Sequence, residues 1–234
     1  MARQWGLHER THLGLMLALT FSTGVVDAVG YLGLDHVFTG NMTGNVVILG
    51  MALLGADNLP IIGPVIALVC FMAGAAIGGR VLRRVDAGWT RLSTIVFTGV
   101  GVLLLAAAVV LFVTGRHPQE GLQWTVTGML GLAMGGQAAT ARHIAVKDVT
   151  TVVVTSTLAG LAADSVFGGG KKGQPWARRA GAVVLIGLGA VVGAAAVHVE
   201  PAIGLLVSAV IVLVVAAWGH RATGGPVPQV VAEA

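Results

Sequence analysis

The sequence predicts an all-α integral membrane protein with six transmembrane helices plus two short re-entrant or half helices, arranged as two inverted repeats. Three observations lead there. Of 234 residues, 56% are hydrophobic and 10% charged, against about 25% charged in a typical soluble domain. The charges fall between long apolar stretches rather than within them. The order of long and short apolar stretches in the first half also recurs in the second. With a mean hydropathy of +0.88, the composition demands a bilayer as part of the solvent.

In chain order, Thr11–Leu34 is apolar except for Asp27. Its start resembles a signal peptide, but no convincing small-x-small cleavage site follows and the apolar run continues, so it is expected to remain as a span. Ile61–Gly79, Leu92–Gly115, Gly121–Ala141, Ala180–Val197 and Pro201–Gly219 contain no Asp, Glu, Lys or Arg, and each reaches the ~18 residues a spanning helix needs. Met42–Leu54 and Val149–Ala163 are shorter, 13 and 15 residues. As helices they would reach about 20–22 Å, short of a core of ~30 Å. Residues 1–234 read as one membrane domain with repeat halves 12–115 and 121–219. Residues 222–234, ATGGPVPQVVAEA, have no apolar period and are expected to be disordered.

The basic residues decide whether the short segments cross. With six spans and a cytoplasmic N-terminus, 13 of the 14 Lys and Arg lie inside and only Arg116 lies outside. If both short segments also cross, the split becomes 8 to 6. Cytoplasmic loops carry the positive excess, so six spans and re-entrant short segments are expected. This puts both termini in the cytoplasm. The five tryptophans, Trp5, Trp89, Trp124, Trp176 and Trp218, fall at or near span ends, where an indole suits the lipid–water boundary.

Sliding the sequence by 112 residues sets Thr39 on Thr151, Thr43 on Thr155 and Gly24 on Gly136. Three spans per half would send the second half through the membrane in the opposite sense, the arrangement that many transporters use around a mid-membrane site.

The stretch FTGNMTGN, Phe38–Asn45, heads the first short segment. Extended, Asp35–Asn41 is long enough to dip most of the way towards the membrane centre, and a helix from Met42 would climb back. Its start would carry unpaired N–H groups and partial positive charge. Asn41 suits the N-cap, and Thr39, Thr43 and Asn45 add hydrogen-bonding groups. The second half offers Thr151 and Thr155 in the corresponding region, and Gln137 within a span. Small and hydroxyl residues also serve helix packing in membranes, which is the plainer role for the second-half threonines. Asp27 lies on a stripe with Thr20, Gly24 and Tyr31. A carboxylate in a span faces a partner or a wet cavity, so Asp27 is either a proton-coupling group or a structural acceptor for the TGN backbone.

The clustering of basic residues between spans argues against a nucleic-acid partner. A single cysteine, Cys70, excludes a disulfide framework. No nucleophile elbow, HExxH or P-loop pattern is present, the histidines lack metal-ligand spacing, and neither an enzyme activity nor a cofactor is expected.

The run TGVVDAVGYLGLDHVFTGNMTGNVVILG resembles the YoaK family of small bacterial membrane proteins, a domain-of-unknown-function family. The resemblance rests on Asp27-Ala28, Tyr31-Leu32, Phe38 and Met42-Thr43-Gly44-Asn45, and on GLAMGGQAATAR from Gly131 to Arg142. It covers about residues 12 to 219 and departs at Thr155-Ser156, where a Thr-Gly pair would be expected. It implies a six-span protein of the bacterial inner membrane and supplies no activity. From the residues, the expected function is a transporter or channel-like carrier for a small polar or anionic solute. Asn41, Thr43, Asn45, Thr39, Thr151, Thr155 and Gln137 would line its site, with Asp27 and Tyr31 in proton-coupling or structural roles. The alternative is a non-transporting scaffold or regulatory subunit. The expected partners are the lipid bilayer, a small polar solute and further copies of the chain.

Overall fold

The computed structural model describes residues 2–55, 59–115, 118–144, 154–163 and 176–222. Among them are eight helices: α1 (Ala2–Gly33), α2 (Met42–Ala52), α3 (Ile62–Leu82), α4 (Arg91–Thr114), α5 (Glu120–Ile144), α6 (Val154–Ala163), α7 (Trp176–Val199) and α8 (Pro201–Ala222). The boundaries have local causes. Asp35 and His36 both take left-handed backbone, at φ 61° and 57°, and turn the chain back after α1. Thr90 and Ser93 form a reciprocal capping box at the start of α4, and Gly115 at φ 76° ends that helix. Pro201 opens α8, where its missing N–H costs nothing.

Five helices are long and apolar enough to cross a bilayer: Thr11–Gly33 of α1, then α3, α4, α7 and α8. The sixth expected span, α5, has the length, 25 residues, but carries Gly128, Gly131, Gly135, Gly136, Thr127, Gln137 and Thr140. All of these except Gly128 are buried, so its composition reflects helix contacts rather than lipid.

The core lies between α1, α4, α5 and α8, where Met16, Leu19, Phe97, Leu104, Leu130 and Leu205 pack together. Outside it, α7 lies along α1 and α3 along α5. Both outer pairs depend on glycine. A Cβ on Gly24 would strike the Ile186 carbonyl, one on Gly189 the Phe21 carbonyl, and one on Gly193 the Val25 carbonyl and the Ala28 methyl. In the other pair, a Cβ on Gly135 would strike the Phe71 carbonyl and one on Gly74 the Leu132 carbonyl. One on Gly78 would press on Ala139 and Gly136. Small residues let helix backbones approach this closely.

These contacts also give the directions of the helices. Along α1 and α7 the contact numbers rise together, from Phe21 with Gly189 to Gly33 with Val197, so the two run parallel; α3 and α5 do the same. In contrast, α8 opposes α1, with Ser208 beside Ser22 and Gly204 beside Val29. It also opposes α4, with Gly101 on Leu213 and Trp89 on Gly219. Finally, α5 opposes α4, since Gly136 meets Val100 while the Gly88 N–H donates to the His143 carbonyl. It follows that α3 runs opposite to α1 and α7 opposite to α5. The chain around α2 therefore leaves and returns at one end of the bundle, and the chain around α6 does so at the other.

The tryptophans do not all behave alike. Trp176 and Trp218 are exposed, but Trp89 is buried. Its ring stacks 6.0 Å from His12 and lies 5.3 Å from Phe97, and its Nε1–H donates to Thr94 Oγ1 at 3.0 Å. It closes one end of the bundle rather than marking a lipid boundary. Beside it, the His143 ring meets the Asp86 carbonyl at 3.0 Å, pinning the α3–α4 turn to α5.

Candidate mid-depth polar site

After the left-handed turn at Asp35 and His36, residues 37–40 run back alongside α1 without forming a helix. The Val37 carbonyl lies against Gly30, and the Val37 side chain fills the space left by Gly63 of α3. Gly40 reaches Thr23 and Asp27; a Cβ there would sit 3.0 Å from the Thr23 methyl and 3.3 Å from an Asp27 oxygen. Thr23 is one residue past the middle of Thr11–Gly33. The start of α2 is thus close to the level of the middle of the apolar stretch Thr11–Gly33.

Three donors meet Asp27 there. Its Oδ1 accepts from the Thr39 N–H at 2.9 Å, the Gly40 N–H at 2.6 Å and the Thr39 hydroxyl at 3.4 Å. Asp27 itself is half-buried, whereas Thr39 and Gly40 are fully covered. Asn41 caps α2 through a bond from the Gly44 N–H to its Oδ1, at 3.2 Å. Asn45, fully buried, pairs with the backbone of Phe38 as a strand neighbour would. Its Oδ1 accepts from the Phe38 N–H at 2.9 Å, and its Nδ2 donates to the Phe38 carbonyl at 2.6 Å. Asn45 therefore satisfies two backbone groups that no helix or sheet serves. Tyr31 stacks on Phe38 at 4.8 Å and meets His36 edge-on at 5.1 Å.

Of the residues singled out from sequence, Thr39, Asn41, Thr43, Asn45, Asp27 and Tyr31 gather at this turn. Gln137 joins them from α5, donating from Nε2 to Thr23 Oγ1 at 3.0 Å. The stripe Thr20–Gly24–Asp27–Tyr31 divides in the structure. Asp27 and Tyr31 face the turn, Gly24 faces α7, and Thr20 donates to the Met16 carbonyl within its own helix. Thr155 and the neighbouring Ser156 are exposed on α6. Thr151 lies outside the described residues, as do Thr150, Lys171, Lys172 and residues 223–234. Sequence reasoning missed Thr23, although it lies one helical turn before Asp27 and hence on the same face. It also missed the partner of Asn45, which is backbone and has no side-chain signature.

Two cavities are lined by described residues. One, of about 350 Å³, lies where α1 ends and α5 begins, with Asp35, Gln123 and His198 in its wall. The other is an apolar groove of about 540 Å³ between α1 and α8, running from Thr11 and Trp218 to Ala18 and Val210. No cluster of three His, Cys, Asp or Glu suited to a metal ion occurs among the described residues.

The polar turn and the Gln137 region both fall within a match to known proteins. A family model described as a protein of unknown function (DUF1275) matches residues 15–218. The chain belongs to this family. It is 30% identical over 151 residues to the UPF0700 transmembrane protein YoaK of Bacillus subtilis (strain 168), covering 64% of this chain and 65% of that relative. The match thus spans just under two thirds of the relative's length. No solved structure matches. Family membership, a transmembrane relative and five long apolar helices make this a membrane protein.

Proposed function

We propose that this DUF1275 protein is a six-span, non-enzymatic carrier or channel-like protein of the bacterial inner membrane, with cytoplasmic termini and a mid-membrane site for a small polar solute. The observation that carries the reading is the backbone of residues 37–40, which lies outside any helix and near the level of the middle of the apolar stretch Thr11–Gly33. Irregular backbone at that depth is tolerated only where protein buries it or a water-filled cavity borders it. The opposite directions of α1 and α3 support re-entry by α2, and those of α5 and α7 support re-entry by α6. Counting α5 as the sixth span follows from its length and from its parallel course beside α3.

The inverted repeat has support of the same kind. Gly24 against Ile186 and Ala190 corresponds to Gly135 against Phe71 and Ala75. Likewise Gly189 against Phe21 corresponds to Gly74 against Leu132, and Gly193 against Val25 and Ala28 to Gly78 against Gly136 and Ala139. Every α1 position maps onto α5 by adding 111, and every α3 position onto α7 by adding 115. The register is one residue from the 112 that the threonines suggest. A two-fold relation of this kind would place a shared site between the halves.

The solute is a polar one. The Thr39 and Gly40 N–H groups, which might have greeted an anion, already donate to Asp27, and that of Gly44 donates to Asn41. The scaffold reading is favoured by the fact that Asn45 spends its amide on the Phe38 backbone. Thiol chemistry separates the two. With Cys70 replaced, single cysteines at the exposed Asn41 and Thr43 should react with a water-soluble thiol reagent in proteoliposomes, and a panel of small polar solutes should leak faster than from empty vesicles. Cysteines that react only after unfolding, with no added leak, would mean a dry centre and a scaffold.

A further inference from the structure

Gln137 is fully buried and carries an unusual burden: its Nε2 is bonded, but its Oε1 has no hydrogen-bond partner. The orientation is not arbitrary. The Thr23 hydroxyl spends its one proton on the Leu19 carbonyl at 3.0 Å, so towards Gln137 it can only accept. The NH₂ end of the amide must therefore face Thr23, and the carbonyl end is left over. A buried acceptor without a donor is costly and asks for an explanation such as a water or ion. One helical turn away, Asp27 brings a carboxylate to the same face of α1. Among the described residues it has no ionic partner; its bonds come from the Thr39, Gly40 and Asn41 backbone and the Thr39 hydroxyl. The carbonyls of Thr39 and Gly40 lie on non-helical backbone beside it.

This set consists of oxygen acceptors carrying one formal negative charge, without the His or Cys ligands that transition metals prefer. We propose that the crossing of α1, α5 and the residue 37–40 strand binds one small monovalent cation, sodium in the first instance, through Asp27 and Gln137. The cation would neutralise the carboxylate and give the Gln137 carbonyl its missing partner. Unwound backbone and helix ends coordinate coupling ions in this way in carriers with interrupted helices. The inference deepens the transport reading and rests on it, since it makes sodium the coupling ion.

The test uses the full-length protein in nanodiscs, with sodium chloride compared against choline chloride at equal ionic strength. Sodium should raise the unfolding midpoint saturably, and radioactive sodium should bind at one site per chain. Gln137→Leu should weaken sodium binding roughly tenfold or more while the midpoint in choline stays near that of the parent. Gln137→Glu, which keeps an oxygen, should retain binding, and Asp27→Asn should abolish it. Equal midpoints in sodium and choline for the parent protein would overturn the proposal. So would a Gln137→Leu loss of stability that is the same in both salts, or a midpoint that follows pH but not sodium. The thiol reactivity of cysteines at Asn41 and Thr43 reports on the wet site without sodium, so a dry centre and an absent cation give different results.

Discussion

The two halves of the molecule bring their outer helices together through matching glycine contacts and treat their short helices differently. The glycine contacts that hold α7 on α1 reappear between α3 and α5 in the same pattern. Yet α2 is tied at its start by Asn45 to Phe38 and by Asp27 to Thr39 and Gly40, whereas Thr155 and Ser156 of α6 lie exposed. Under the shift of 111, the position corresponding to Asp27 is Ala138, which has no carboxylate to offer a neighbouring strand. A carboxylate on α1 with no counterpart at the matching position of α5 is the difference that matters. Glycine contacts set how closely the outer helices approach, and a few polar residues distinguish the two short helices.

The largest effects should come from the matching glycine contacts. Gly24→Leu and Gly135→Leu each drive a side chain into backbone of the adjacent helix, and overpacking of that kind costs about 1–3 kcal/mol or more. Both should remove most folded protein in fluorescence size-exclusion profiles, and to a similar extent. A large effect at one and none at the other would break the proposed two-fold.

Next comes the tie at the start of α2. Asn45→Ala orphans the buried N–H and carbonyl of Phe38, at roughly 1–3 kcal/mol for each group, so the unfolding midpoint should fall clearly. Ser156→Ala, in the corresponding part of α6, should leave the midpoint unmoved; an equal drop would erase the contrast between the short helices.

Asp27→Leu should also lower the midpoint, because it leaves the covered N–H groups of Thr39 and Gly40 without their acceptor. Asp27→Asn, which keeps an acceptor for Thr39 and Gly40, should lose less than Asp27→Leu in the same melt. Equal losses would mean that charge, rather than hydrogen bonding, holds the turn.

The smallest effect is expected at Thr155. Replacement of this exposed residue by Val should stay within about 0.5 kcal/mol, as surface changes usually do. A larger loss would point to a partner for α6 that the described residues do not include.

Much of this was legible in the sequence, for reasons of range. The long helices α1, α3, α4, α7 and α8 follow from unbroken apolar runs. The Asn41 cap and the start of α2 at Met42 are local, set by residues within one turn. What was not legible depends on long-range contact. Asn45 looked like a ligand-facing side chain because nothing in a sequence says that its partner is the backbone seven residues earlier. Trp89 looked like a boundary residue because its ring finds Phe97, His12 and the space above Gly219 only once α1, α4 and α8 have met. The hydropathy of α5 understates its place in the fold, since its glycines and hydroxyls are spent on other helices. Thr23 was passed over for Thr20 because the two lie one and two turns before Asp27 on the same face and only packing tells them apart.

The pairing of α1 with α7 also has a consequence for synthesis. Gly24 emerges from the ribosome long before Ile186 and Ala190, the residues it will lie against. At ~5–20 residues per second, the wait is roughly ten to thirty seconds. Throughout that interval the groove around Gly24 has no native partner, although Thr39 and Gly40, the partners of Asp27, are made early in it. The half that is made first cannot finish first. Its maturation is timed by the half made last, so a ribosome stalled before Trp176 would leave in the membrane an α1 lacking the α7 and α8 faces it packs against.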